Sequence, residues 1–339
     1  MRDYLNTLMA MHSYCRPHGT PTETEFCQRF IAPLGAERDL FGNWHYQIGE
    51  SPIIWSCHTD TVHRKDGRQT VHYNLGSGML RLSKRSRRTS SCLGADDTAG
   101  VFLCCEMIKR QVPGHYIFHY GEESGGLGSS DLAAEWPELL NGATFAIALD
   151  RSGTADIITH QSGGRTASDV FAQSLAAQLN VDGLKYAPCD HGIYTDTAEY
   201  AAIVAECSNL SVGYYAAHTK HEQLDTRHLL RLLERLCALD QSALVAARTP
   251  GEIDRGWFGH SKLILDWPIE DLCPDCDEEL VYSSYCFKCG WDKNQPRVRI
   301  TDVIDDEHLT DWQDREEDAD VYLQPDYAAV QEALRRYRN

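Results

Sequence analysis

The sequence predicts an α/β sandwich of three layers around a mostly parallel sheet, with a small metal-stapled module on its C-terminal side. Three observations carry this. Short apolar runs, SPIIWSCHTD (51–60), HYIFHYGEE (115–123) and GATFAIALD (142–150), lie between turn residues and read as strands buried on both faces. Helical stretches alternate with such runs as far as residue 248. Beyond it the character changes, and four cysteines crowd into 273–289.

Taken in order, the N-terminal segment MRDYLNTLMAMHSYC reads as an amphipathic helix with Tyr4, Leu5, Leu8, Met9 and Met11 near one side. It lacks the continuous apolar centre of a signal peptide, and no run in the chain approaches the length of a membrane span. Helices are expected at 97–111, 167–179 and 226–248, and a strand at 154–160. Residues 1–248 would form one large domain. Thr249, Pro250 and Gly251 break the last helix and open a connector over 249–271. A ribbon module is expected over 272–295, then an acidic, partly disordered stretch and a terminal helix within 296–339. The arginines of that helix lie near its C-terminal end, where its dipole favours them.

A hydrophobic fraction of 42% and a charged fraction of 24% are those of a soluble globular protein, here expected in the cytoplasm with no membrane partner. The net charge of −18 argues against nucleic acid as a partner. That charge is uneven. Residues 64–88 hold Arg64, Lys65, Arg68, Arg81, Lys84, Arg85, Arg87 and Arg88, while 302–320 is strongly acidic. Thirteen cysteines, an odd number without an export signal, point to a reducing compartment. Nine of them (Cys15, Cys27, Cys57, Cys92, Cys104, Cys105, Cys189, Cys207 and Cys237) sit in apolar or small-residue segments and read as buried hydrophobes.

The other four make the knuckles CPDC (Cys273, Cys276) and CFKCG (Cys286, Cys289). Two such pairs suit a tetrathiolate site, structural zinc before iron, whose binding would supply much of the module's stability. A protein partner is the expected use of the ribbon, since few basic residues surround it.

Chemistry concentrates in CHTDTVH (57–63), LGADDTAG (93–100), HYGEESGGLGS (119–129), ALDRSG (148–153) and YYAAHTKHE (214–222). Each is weak alone. Together they offer imidazoles and carboxylates at strand ends, where open α/β sheets build their sites. These are ligands that zinc accepts, and one shared carboxylate can hold two ions.

In motif, order and spacing the five segments resemble the superfamily of co-catalytic di-zinc exopeptidases and deacylases, which includes peptidase T, carboxypeptidase G and the di-zinc aminopeptidases. The resemblance covers roughly residues 50–225. It implies the di-zinc peptidase fold and two active-site divalent ions. It also implies metal ligands at His58, Asp96, Glu123, Asp150 and His218, with Asp96 bridging. Asp60 would orient the His58 ring, and Glu122 would be the general base. Tyr214 or Tyr215 would stabilise the oxyanion. The Y-T-D-T run is similar to the family's G-T-D loop, so Asp196 would anchor a substrate N-terminus, with Asp190 and Glu222 as rivals. Two departures stand out. Thr98 follows the Asp pair where the family often has Lys, and only 67 residues separate Asp150 from His218, too few for an inserted lid domain. The missing lid favours an aminopeptidase or dipeptidase. A deacylase of N-acyl amino acids or similar metabolites shares the ligand set, and a binding protein on a hydrolase scaffold is the non-enzymatic alternative. The expected substrate is accordingly a peptide or an acylated small molecule.

Overall fold

A computed structural model describes residues 2–251 of the chain. The cysteine knuckles at Cys273, Cys276, Cys286 and Cys289, the acidic stretch and the terminal helix lie outside these residues.

Eight strands form the central sheet, in the order Ala187–Cys189, Asp156–Ile158, Glu206–Ser211, Phe145–Arg151, Ile53–His58, Gly114–His119, Trp44–Ile48 and Glu37–Arg38. The four central strands, Glu206–Ser211 to Gly114–His119, run parallel. The sheet is mixed overall, because Trp44–Ile48 returns antiparallel to Gly114–His119 and Asp156–Ile158 antiparallel to Glu206–Ser211. Glu37–Arg38 and Trp44–Ile48 are joined by a tight turn in which Asp39 accepts from the Phe41 and Asn43 backbone amides. Such a short link can join only antiparallel neighbours.

The apolar runs are buried on both faces. Ile53, Trp55 and Cys57 enter one core cluster and Ile54 the other; Tyr116 and Phe118 likewise divide from Ile117. This is the period of two, with a hydrophobic layer on each side. The first layer holds α1 (Arg2–Met11), α2 (Pro21–Phe30), α3 (Ala95–Lys109), α5 (Asp169–Leu179) and α6 (Thr226–Cys237). The second holds Leu132 of α4 (Leu127–Glu135), with Leu140 and Tyr200 from short turns. Helix α3 is apolar on nearly every side, as befits a central helix. A smaller sheet, ordered Tyr214–Tyr215, Gln223–Asp225, Met79–Leu82 and Val71–Tyr73, stands beside the main one.

Helix boundaries differ from expectation where side chains cap the backbone. Ser168 accepts from the Phe171 amide, so α5 starts at Asp169 and not at 167. Helix α6 stops at Cys237, not at 248: Asp240 accepts from the amide of Ser242 and caps a short 3-10 turn, Gln241–Ala243. The following backbone is held by Glu206, which accepts from the Ala247 and Arg248 amides. The strand expected at 154–160 is shorter, Asp156–Ile158, followed by a small hairpin of His160–Gln161 and Gly164–Arg165.

Between Asp150 and His218 the chain builds only strands, α5 and turns of this domain, with no inserted lid. Of the nine cysteines outside the knuckles, seven are buried and Cys189 and Cys237 are partly exposed. Among the described residues, no helix is long and apolar enough to cross a membrane.

Candidate metal centre and active site

Parallel pairing aligns the strand ends that carry the polar residues. His58 is the partner of His119, three residues before Glu122, and Ser56 is the partner of Ala148, two residues before Asp150. Asp96 joins them from the start of α3, where Asp96 and Asp97 depart from helical geometry and their shared peptide is cis. His218 arrives from the loop after Tyr214–Tyr215 with φ of +65°, in the left-handed region that L side chains seldom occupy.

Asp96 stands between the two imidazoles. Its Oδ1 is 3.0 Å from His58 Nε2 and its Oδ2 is 3.1 Å from His218 Nε2. Asp150 Oδ1 lies 3.5 Å from His58 Nε2, and Glu123 Oε1 lies 3.1 Å from His218 Nε2. Ligands about 2.0–2.1 Å from a tetrahedral ion would lie roughly 3.3 Å from each other, so these separations suit two ions sharing Asp96. Asp96, Glu123 and His218 converge within 4.8 Å, as do His58, Asp97 and Asp150. Glu123 Oε1 is buried and makes no well-formed hydrogen bond, and its 3.1 Å approach to His218 Nε2 is that expected of two groups facing one cation. The residues present therefore fit a pair of divalent ions, and their N and O donors suit zinc.

Glu122 also converges with His58 and Glu123 within 4.8 Å, but it stands farther out than the other carboxylates, its Oε2 4.0 Å from His58 Nε2. Burial pushes its carboxyl well above the usual range; His58 opposes the shift, and Asp150, Glu123 and Asp196 add to it. Burial and Asp96 likewise push Glu123 up to about 7, against the pull of His218. Burial disfavours charge on His58 and His218, but the surrounding carboxylates prevail and raise both.

Around the ligands the positions are held by further hydrogen bonds. Asp60 Oδ1 lies 3.3 Å from His58 Nδ1, and its two oxygens accept from the Glu122 and Glu123 amides at 3.2 Å. One buried carboxylate thus sets both a ring and a turn. Asp97 accepts from the amides of His58 and Gly100, so its oxygens are committed to backbone. Thr195 Oγ1 donates to Asp150 Oδ2 at 2.8 Å, while Asn209 pairs with both the amide and the carbonyl of Asp150 at 3.0 Å.

The expected substrate-binding residues divide. Tyr214 is buried, and its hydroxyl donates to the Asp150 carbonyl at 3.0 Å and lies 3.3 Å from Asp150 Oδ1. Tyr215 is exposed. Glu222 accepts from the amides of Gly94 and Asp96, so it holds the loop that presents Asp96. Asp190 is exposed beside His191. Asp196 is buried; Ser129 donates to its Oδ1 at 2.6 Å, while Oδ2 has no hydrogen-bond partner. Thr98 is buried and turned back to the Gly94 carbonyl.

Sequence reasoning missed Asp97, Thr195, Asn209 and Arg16. Only Asp97 carried a signal, the D-D doublet. Arg16 is fully buried, donates from Nε to the Thr59 carbonyl at 2.6 Å and packs 4.0 Å from the Phe26 ring. Burial lowers its pKa, opposed by Asp97, Glu23 and Asp60 among its neighbours, so a cation backs the acidic site from beneath.

No protein-family model matches the chain, and a search of curated proteins finds no match. Solved structures do match. The aminopeptidase PepT of Bacillus cereus superposes with a TM-score of 0.57 at 16% identity, covering 71% of this chain and 98% of that one. A tripeptidase of Staphylococcus aureus gives 0.55 at 15%, covering 71% and 98%. An aminopeptidase of the archaeon Desulfurococcus kamchatkensis gives 0.52 at 15%, covering 72% and 96%. The chain thus has the fold of these aminopeptidases and this tripeptidase.

Proposed function

We propose that the protein is a metal-dependent peptidase that removes residues from the free N-terminus of short peptides, as an aminopeptidase or dipeptidase. The observation that carries the reading is the Asp96 carboxylate, one oxygen at each imidazole, with Glu122 beside the cluster at the longer distance of 4.0 Å from His58 Nε2. His58, Asp150 and Asp96 would hold one divalent ion, and His218, Glu123 and Asp96 the other. When bound, the ions would lower the pKa of a coordinated water toward neutrality and polarise the scissile carbonyl.

Glu122 would act as the base, accepting a proton from the attacking water as its oxygen bonds the carbonyl carbon and passing that proton to the amine as the C–N bond breaks. Its buried, raised carboxyl suits a group that must accept and release a proton near neutral pH. Asp60 fixes the His58 ring and the Glu122–Glu123 turn, so ligand and base keep one relative position. Of three carboxylates that could receive a substrate ammonium, Glu222 is committed to backbone amides and Asp190 faces solvent, leaving Asp196 Oδ2. Tyr214 supports Asp150 through its hydroxyl. The solved structures with this fold described as aminopeptidases and a tripeptidase lend the reading further support.

The test is a comparison of zinc-loaded protein on aminoacyl amides, dipeptides, N-acyl amino acids and one cleaved peptide in free and N-acetylated forms. Acetylation should abolish cleavage, because it removes the charge that Asp196 receives. Equal or faster cleavage of the acetylated peptide would overturn the aminopeptidase reading in favour of a deacylase.

A further inference from the structure

Residues 64–88 hold eight basic side chains and one acidic, Asp66, in a chain whose net charge is −18. Arg64, Lys65, Arg85 and Arg88 are exposed. Among the described residues, none of these four has a carboxylate within ion-pair distance, whereas Arg68 and Arg110 pair with Glu25 and Glu234. Four exposed cations with no carboxylate partner among the described residues concentrate a positive field on one part of the surface.

The cluster has a defined place. The Arg64 amide donates to Ser91 Oγ at 3.1 Å, which ties 62–65 to the segment running into Gly94 and Asp96. The turn Ser86–Arg88 is anchored through Ser86 Oγ, which accepts from the Thr70 amide at 2.8 Å. In the small sheet, Arg81 is the register partner of Gln223, next to Glu222, whose carboxylate holds the amides of Gly94 and Asp96. Exposed Lys220 and His221 belong to the loop that brings His218. The basic surface therefore borders the His218 side of the metal centre. Asp196 belongs to the opposite side, one residue after Thr195, which bonds Asp150.

We infer that Arg64, Lys65, Arg85 and Arg88 form a docking surface for acidic residues on the C-terminal side of the scissile bond of a peptide substrate. The inference rests on the peptidase reading and deepens it. With the ammonium at Asp196 and the carbonyl between the imidazoles, the remaining peptide leaves across His218 toward the cations. The overall charge selects a short acidic peptide over a long polyanion. Fields are screened within about 8 Å at physiological ionic strength, so a few acidic residues meet only the patch. A long polyanion must also lie against the acidic remainder of the protein.

The experiment uses the full chain loaded with zinc and two tetrapeptides with the same first two residues, one ending in two glycines and the other in two acidic residues. At low salt, about 20 mM, kcat/KM for the acidic peptide should be about tenfold higher, and near 300 mM the preference should largely vanish. The double variant Arg85→Glu, Arg88→Glu should raise KM for the acidic peptide, leave its kcat unchanged and leave the neutral peptide unaffected. Unchanged turnover of the neutral peptide also shows that the variant is folded. Equal cleavage of the two peptides, or a preference that survives charge reversal, overturns the docking surface while the peptidase reading stands. Should neither be cleaved, the peptidase reading fails. The patch is then judged by anisotropy of a labelled acidic peptide, whose binding must be salt-sensitive and lost in the double variant. Tighter binding of an RNA oligomer than of the acidic peptide would also overturn it.

Discussion

Glu122 and Glu123 are adjacent and chemically identical, yet their surroundings differ, and the proposed function gives them different work. Glu123 Oε1 meets His218 at 3.1 Å, whereas Glu122 Oε2 is 4.0 Å from His58. Glu122→Gln keeps shape and removes basicity, so both metals should remain while turnover falls by at least about a hundredfold. Glu123→Gln should instead lower metal content as well. Metal analysis beside steady-state kinetics checks the pair; near-normal turnover of Glu122→Gln would remove it from the role of base. A quieter test concerns Thr195, whose hydroxyl bonds Asp150 Oδ2. Thr195→Val keeps the volume and deletes that bond, so zinc affinity should fall about tenfold, measured by chelator competition. The contrast between these residues explains what the sequence made legible. His58, Asp96, Glu122, Glu123 and Asp150 sit in short segments where apolar runs end or a helix begins, so each is visible locally. Thr195, Asn209 and Arg16 act through partners 45, 59 and 43 positions away, and nothing in their own segments marks them. Tyr214 was visible but not its partner, and only the fold commits its hydroxyl to Asp150.

Among the elements, α3 matters most, because it carries Asp96 and Asp97 and packs directly on the strand Phe145–Arg151, which holds Asp150. Gly100 allows that approach. A Cβ there would stand 2.3 Å from the Leu149 carbonyl oxygen and 2.5 Å from Asp97 Oδ2. Neither neighbour can yield, since one is a central strand and the other is bonded to the amides of His58 and Gly100. Gly100→Ala should therefore cost about 3 kcal/mol, the upper part of the range for an overpacked core. Zinc affinity should drop with it, because the displaced helix carries Asp96. Denaturant unfolding and metal analysis check both; a stable variant with full metal content would mean that α3 can retreat without moving its ligand. Short apolar runs sufficed to read the strands that lead to His58, Glu122 and Asp150 and the existence of α3, α5 and α6, but not Trp44–Ile48, Ala187–Cys189 or the small four-stranded sheet, whose strands are only partly buried or polar. Their ends depend on single side chains, Ser168 and Asp240, that compete with the helix for backbone amides. Periodicity does not encode that competition, which is why α6 was read eleven residues beyond Cys237.

At the scale of the whole molecule, stability should couple metal to pH in a way the buried charges determine. Burial pushes Glu123 and Glu222 up to about 7 and Asp196 up to about 8, well above their ordinary values near 4. A buried acid with a raised pKa binds a proton more readily folded than unfolded, so its contribution to stability declines as pH rises from the unfolded value through the folded one. The raised pKa values of His58 and His218 act with the same sign, favouring the fold at low pH and losing that contribution as pH rises. Five other histidines act oppositely. Burial pushes His12 down to about 3, His63, His115 and His228 to about 4, and His119 well below its ordinary value, so stability is lost as pH falls from 6.5 toward the folded values. None of the five is in the candidate ligand set, so they largely cancel when loaded and chelated protein are compared at one pH. The acids and the two ligand histidines do not cancel, because bound cations stabilise the deprotonated ligands. The Tm difference between zinc-loaded and chelated protein should therefore be small near pH 5 and widen steadily to pH 8. Parallel thermal melts at unit steps of pH measure it. A gap that stays constant would mean that the buried carboxylates do not hold their protons in the metal-free fold, and that the acidic centre is balanced by something other than the ions, with Arg16 the first residue to substitute.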